Sequence, residues 1–335
     1  MRLAFALLLL PLACGVAAAD ETVLRVGTVV PEGTSYAREM RTVSQDVERE
    51  SKGAVRMKFY MGGIAGDELD MLARLRRGQL DGILSGGMAC ETVAPSMRVA
   101  RIPALFQTWA ETSYVIGKLR PILSDEAQKN GFRYIGEAIV GPSIAFSRKP
   151  VATLHDLQQT RFWIWDIDRV LGAVLPVMGF HVAPLPIREA YGAYDAGRID
   201  GFITPAVAAL TFQWTTVTHY YTDLRMGFVV GCLLLSNRAF DALTLAEQQA
   251  VTLAAARMKQ RIEDVGKKQE AQLLHGLFQK QGLQPVAVDT ATRVNFFEQA
   301  HLARERAATK LVSMELIGRV LALLADFRSE HRGEN

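Results

Sequence analysis

One five-residue pattern, Gly-x-(Leu/Ile)-Asp-Gly, occurs twice in this chain, as Gly78-Gln79-Leu80-Asp81-Gly82 and as Gly197-Arg198-Ile199-Asp200-Gly201. Each copy follows a stretch with amphipathic helical spacing, residues 71–77 and 189–194. Each precedes a short apolar run, Ile83-Leu84 and Phe202-Ile203. The first glycine suits the position just past a helix, where φ is positive and a Cβ is costly. The Asp-Gly pair then turns the chain into a strand. Helix, glycine stop and strand thus recur in both halves, which points to two similar α/β lobes. Asp81 and Asp200 resemble a carboxylate pair on paper, but a turn position favours hydrogen bonds to backbone.

At 335 residues the chain is too long for one small core and comfortable for two lobes. With 49% hydrophobic and 22% charged residues it has no disordered tract, and a net charge of +3 offers no basic field for nucleic acid. Residues 1–19 read as a secretory signal peptide: Arg2, an apolar run from Leu3 to Leu10, and Ala17-Ala18-Ala19 before a cleavage point at Asp20. The apolar run falls far short of the ~20 residues of a spanning helix. Cys14 offers a lipoprotein alternative, which ranks lower because no leucine stands three positions ahead of it. The mature chain is therefore expected to be soluble and exported. Its two cysteines, Cys90 and Cys232, both flank apolar residues. Two buried thiols are favoured over a bridge, since sequence alone does not bring the two together.

Alternation marks strands over 22–27 and 54–60, and Ser35 is placed to cap a helix from Tyr36 to about Glu50. With the helix before the first Asp-Gly, this order implies a mainly parallel sheet with helices on both faces. Further strands are expected over 132–136, 144–147, 162–165 and 181–183, with a helix over 168–178. Thr244 and Glu247 form a capping box for a helical pattern running to about Lys280. Such a helix either kinks at Gly266 or braces both lobes. A last amphipathic helix is expected over 304–327.

No pattern for nucleophilic, metal-dependent or phosphate-binding catalysis occurs, and the six histidines stand at no ligand spacing. No cofactor or metal is expected. Trp163 and Trp165 lie two apart in a strand and share a face, with Arg161 on the same side if the strand begins early. The pair is either plain core or a ligand-facing wall beside the lobe boundary.

Taken together, these segments resemble the periplasmic solute-binding subunits of tripartite ATP-independent periplasmic (TRAP) transporters, of the dicarboxylate-binding-protein type. The similarity spans nearly the whole mature chain. It rests on Pro31-Glu32-Gly33-Thr34-Ser35, Gly62-Gly63-Ile64-Ala65-Gly66-Asp67, Ile102-Pro103-Ala104-Leu105-Phe106, and the block from Thr153-Leu154-His155-Asp156-Leu157 through Glu189-Ala190-Tyr191 to Asp200-Gly201. The resemblance implies a two-lobed α/β periplasmic binding protein fold with hinge strands, a long helix spanning both lobes, and a ligand closed between them. It implies no enzymatic activity and a TRAP-type membrane permease as partner. A monomer is expected. Lobe I is expected over 20–140 and 229–268, and lobe II over 141–228 and 269–335.

The departures bear on the ligand. The resemblance implies an arginine seven residues after Asp156, where Trp163 stands, and an asparagine three residues after Gly201, where Thr204 stands. Gly86 and Val29 occupy positions that are polar in relatives, and Asp67 is the main polar survivor. The expected ligand wall is Val29, Asp67, Gly86, Phe146, Trp163, Trp165, Ile187 and Thr204. A carboxylate enclosed without its arginine costs several kcal/mol, so an apolar, aromatic or uncharged ligand is favoured. The alternatives are a clamp moved to Arg161, a ligand sensor or lipid-like carrier, and an enzyme on the same scaffold.

Overall fold

The structure, a computed structural model, describes residues 21–331. The expected leader, its cleavage point and Cys14 lie outside the described residues.

The first half begins with β1 (Thr22–Gly27), α1 (Ser35–Glu50), β2 (Val55–Tyr60), α2 (Glu68–Arg76) and β3 (Gly82–Ser85). The cap of α1 is Thr34 rather than Ser35: its hydroxyl accepts the Ala37 N–H at 3.1 Å from an extended backbone. Helix α3 (Met88–Val93), a 3-10 segment (Pro95–Arg101) and α4 (Trp109–Lys129) follow. The long strand β4 (Phe132–Ser147) carries the chain into the second half. There α5 (Leu154–Gln159), β5 (Arg161–Trp165), α6 (Arg169–Val177), β6 (His181–Leu185), α7 (Ile187–Asp195) and β7 (Gly201–Pro205) repeat the plan. After α8 (Ala206–Thr211), a second long strand, β8 (Tyr220–Ser236), returns to the first half. The remaining elements are α9 (Asn237–Asp241), α10 (Leu245–Gln272), α11 (Phe278–Lys280), β9 (Gln284–Val286), α12 (Thr290–Arg306) and α13 (Met314–Glu330).

The nine strands among the described residues form one sheet, ordered β2-β1-β3-β8-β4-β7-β5-β6 with β9 beside β8. The expectation of a mainly parallel sheet holds within each half only. β1 runs parallel to β2 and β3, and β5 runs parallel to β6 and β7. The sheet centre is antiparallel, because β4 and β8 carry the chain across in opposite directions. The two halves are therefore arranged alike about the β4–β8 pair. Sequence alternation showed β4 as two separate strands. Register shifts at Tyr134/Gly136, Ile139/Gly141 and Ser143/Ala145 explain this, since each bulge throws the period of two out of phase.

The two motif copies build the same turn. Gly78 and Gly197 have φ of +71° and +69°. The Asp81 and Asp200 N–H groups donate to the carbonyls of Arg25 and Arg161, both at 2.8 Å. Each carboxylate also faces its partner's N–H, at 3.0 Å for Asp81 with Arg25 and 3.4 Å for Asp200 with Arg161. The final glycine serves close approach: a Cβ on Gly201 would lie 2.4 Å from the Phe146 carbonyl oxygen, and one on Gly82 2.9 Å from that of Leu234.

Helix α10 runs unbroken through Gly266, for roughly 42 Å at 1.5 Å per residue. The break falls later, at His275 and Gly276, where φ/ψ leave the helical region. Phe278 then docks against Phe146 and Tyr221 of the second half, so the helix braces both halves. The single C-terminal helix expected over 304–327 is instead two, α12 and α13, parted by residues 307–313. Helix α13 packs on α4, and Arg328 pairs with Glu111 of α4 at 2.7 Å, so this segment crosses back to the first half.

The expected free thiols are bonded: Cys90 and Cys232 form a disulfide with Cα atoms 6.0 Å apart. β8 returns alongside β3, with Cys232 opposite Ser85, and so passes next to α3. That return, invisible in the sequence, brings together residues 142 positions apart.

Candidate functional site

A cavity of ≈ 160 Å³ lies between the halves, at the carboxyl ends of the parallel strands. This is where open α/β sheets present ligand sites. The first half contributes Val29, Val30, Leu84, Ser85, Gly86 and Met88, and α10 contributes Met258 and Ile262. Trp163, Trp165, Ile187, Thr204, Phe212 and Trp214 come from the second half.

Six of the residues expected at a ligand site therefore meet here: Val29, Gly86, Trp163, Trp165, Ile187 and Thr204. Two do not. Phe146 is fully buried, with ring centroids 6.4 Å from Tyr221 and 5.6 Å from Phe278. It belongs to the core beneath the hinge, because strand pleating turns it away from the cleft. Asp67 stands at the edge: one oxygen accepts the Glu68 N–H at 2.7 Å at the start of α2, and the other accepts the Trp165 indole N–H at 3.1 Å. That second bond links the two halves.

Trp163 is both core and wall. Its indole N–H donates to the Leu185 carbonyl at 2.9 Å, and its ring lies 4.9 Å from Trp214. Behind it Tyr194, Phe202, Trp214 and Phe212 stack in a column, with Phe202 and Trp214 4.5 Å apart and 4° from parallel. The column fixes Trp163 as a rigid apolar surface. Phe212 and Trp214 were missed in the sequence because they follow β7 in an irregular segment outside any motif.

Arg161 does not reach the cavity. It is exposed at the amino end of β5, two residues before Trp163, and it is the counterpart of Arg25 in the repeated turn. The clamp moved to Arg161 is therefore corrected: strand geometry puts its side chain at the end away from the cleft.

The cation at the cavity is Arg101, at the end of the 3-10 segment. Its Nη2 donates to the carboxylate of Asp168, which belongs to the other half. Asp168 also caps α6, accepting the Leu171 N–H at 2.9 Å. On the other side of Arg101, Glu91 Oε1 lies 3.9 Å from Nε, and neither atom has a hydrogen-bond partner. Burial, reinforced by the negative charge of Asp168, holds Glu91 well above the usual carboxylate range against the pull of Arg101 and Arg98. Nothing in the sequence around Arg101 signals a site, since its role depends on a contact 67 residues away.

Glu68 shapes the opposite wall. It is fully buried and accepts from the Ser85 hydroxyl, from Gly86 N at 2.5 Å and from Ala89 N at 2.8 Å, so it holds the turn after β3. Burial pushes its carboxyl up, with these bonds opposing. Glu137, the acidic residue on the cavity wall, is paired with Lys259 at 2.8 Å. Among the described residues no cluster of three His, Cys, Asp or Glu side chains is poised to hold a metal ion.

Comparison with known proteins agrees with this architecture. The sequence profile of bacterial extracellular solute-binding protein, family 7, matches residues 26–309. A solute-binding protein of Albidiferax ferrireducens is 25% identical over 272 residues, covering 79% of each chain. A TRAP periplasmic solute-binding protein of Desulfovibrio salexigens with bound orotic acid superposes with a TM-score of 0.84 at 19% identity, over 91% of this chain and 99% of that one. A TRAP periplasmic solute-binding protein of Xanthobacter autotrophicus with bound β-D-galacturonate gives 0.81 at 20% identity, over 90% and 99%. At these identities the two structures speak for the fold alone.

Proposed function

The chain belongs to the family 7 bacterial extracellular solute-binding proteins, and from that premise we propose that it delivers a small uncharged, aromatic or apolar solute to a TRAP-type permease. The family makes it a periplasmic, non-enzymatic solute-binding protein. The finer reading, the solute class, rests on one observation above others: the charged side chains on the cavity wall are already paired, Arg101 with Asp168 and Glu137 with Lys259.

A solute carboxylate entering this cavity would meet no free cation. An unpaired buried charge costs several kcal/mol, against the ~8 kcal/mol of a micromolar complex. The wall offers flat and branched apolar groups instead, with Trp163 as platform. A cavity of ≈ 160 Å³ suits a single-ring molecule, since an apolar cavity of about 150 Å³ holds benzene. The Thr204 hydroxyl on the cavity wall is placed to orient a polar edge.

A second reading, an organic acid, is favoured by the orotic acid and galacturonate held by structurally similar proteins. One experiment separates the two. Native mass spectrometry of periplasmically expressed protein identifies what co-purifies, and calorimetry then ranks indole and benzamide against orotate and galacturonate. Tight binding of either acid, with none of the neutral rings, overturns the proposal.

A further inference from the structure

We propose that Asp168 stands in for a ligand carboxylate: reaching across the cleft, it fills Arg101 and thereby excludes organic acids from the cavity. The inference rests on the uncharged-solute reading above and names the residue that enforces it.

Arg101 has the attributes of an anion site. It lies on the cavity wall, its side chain is 11% exposed, and its planar fork carries five donors. Among the described residues only one donor, on Nη2, makes a hydrogen bond with the protein, and Nε is buried without a partner. A guanidinium so enclosed requires a counter-charge, and the protein supplies it from the opposite half. The carboxylate of Asp168 is fully enclosed, and its second oxygen is fixed by the first turn of α6. Arg101 is thus neutralised where the halves meet. Glu91 does not hydrogen-bond to Nε at 3.9 Å, so with Asp168 in place it leaves the pairing of Arg101 to that residue. Leu171, one turn along α6 from Asp168, also lines the cavity, so space vacated by the carboxylate adjoins it.

The exclusion has a constructive test. Asp168→Ser keeps an oxygen that caps α6 while removing the charge. Glu91→Gln, combined with it, prevents the neighbouring carboxyl from taking over Arg101. Benzoate is the probe and benzamide its uncharged counterpart, both measured by calorimetry and by thermal shift. Wild type is expected to prefer benzamide. The double variant is expected to gain at least about tenfold in benzoate affinity, the scale of one charge-assisted pair, and adding Arg101→Met is expected to abolish the gain. If the double variant does not fold, Asp168→Asn, which retains cap and shape, is read in its place and still gains benzoate affinity. A folded variant without that gain overturns the stand-in role and leaves the uncharged-solute reading intact. Tight benzoate binding by wild type overturns both.

Discussion

Glu91 ties stability to pH through a proton that the folded chain retains. Its carboxyl ionises near 4.5 in an unfolded chain and well above that in the fold, where burial and Asp168 oppose the charge. Folding therefore binds a proton, and its stabilisation is complete below about pH 4.5 and lost as pH rises through the folded value. Thermal midpoints of wild type are expected to fall across that window, with a shallower fall in Glu91→Gln; an unchanged slope would remove Glu91 as the cause. Glu68, Asp166 and Glu263, raised in the same sense by burial, add to this slope, and the lowered carboxyls of Asp46, Asp81 and Asp156 oppose it. Trp163 gives a binding prediction. Trp163→Ala strips the flat face and is expected to weaken the co-purifying solute by about 1–3 kcal/mol in calorimetry. Loss of the Leu185 bond and the Trp214 contact also lowers its melting point. Trp163 was legible in the sequence because its place is fixed by counting from Asp156. Arg101 was not, because a lone arginine in an irregular segment acquires meaning only from a partner on another element.

Elements were read where a local rule governs them. The capping box at Thr244 and Glu247 and the glycine stops at Gly78 and Gly197 are chemistry of a few adjacent residues, and all appear as expected. Elements set by distant pairing were not read: the length of β4, its bulges, and the Cys90–Cys232 bond. Gly266 shows the difference. Within the helix it suggests weakness, yet its purpose is contact. A Cβ there would lie 2.8 Å from Trp109 and 3.1 Å from the Val140 carbonyl oxygen. Gly266→Ala is therefore expected to destabilise, although alanine is favoured in helices by about 1 kcal/mol. A denaturation midpoint above wild type would show that Trp109 yields freely. The disulfide joins α3 to β8 across 142 residues, so removing it restores much entropy to the unfolded chain. Cys90→Ala combined with Cys232→Ala is expected to cost about 2–5 kcal/mol in urea unfolding. No loss beyond error would mean that the native contacts alone hold α3 in place.

For the molecule as a whole, two strands, one long helix and the α12–α13 segment join halves that also meet across the cavity. The β4–β8 pair shifts register at Gly141, opposite Val229, and Gly141 has a φ of +152° that other residues rarely adopt. A bulged, glycine-containing crossing is expected to concentrate rotation there, with α10 and α13 restraining its extent. On the cavity side two polar bonds span the gap: Trp165 to Asp67 at 3.1 Å and Arg101 to Asp168. Both favour the closed arrangement, so the solute-free protein is expected to sample it by itself. Removing both bonds, with Trp165→Phe and Arg101→Met, shifts that balance towards an open form while leaving the apolar wall nearly intact. Small-angle scattering of the solute-free double variant is then expected to give a larger radius of gyration than solute-free wild type. Adding the co-purifying solute is expected to shrink both. Equal radii without solute would show that these bonds do not hold the halves together, and equal radii with and without solute would argue against closure about Gly141.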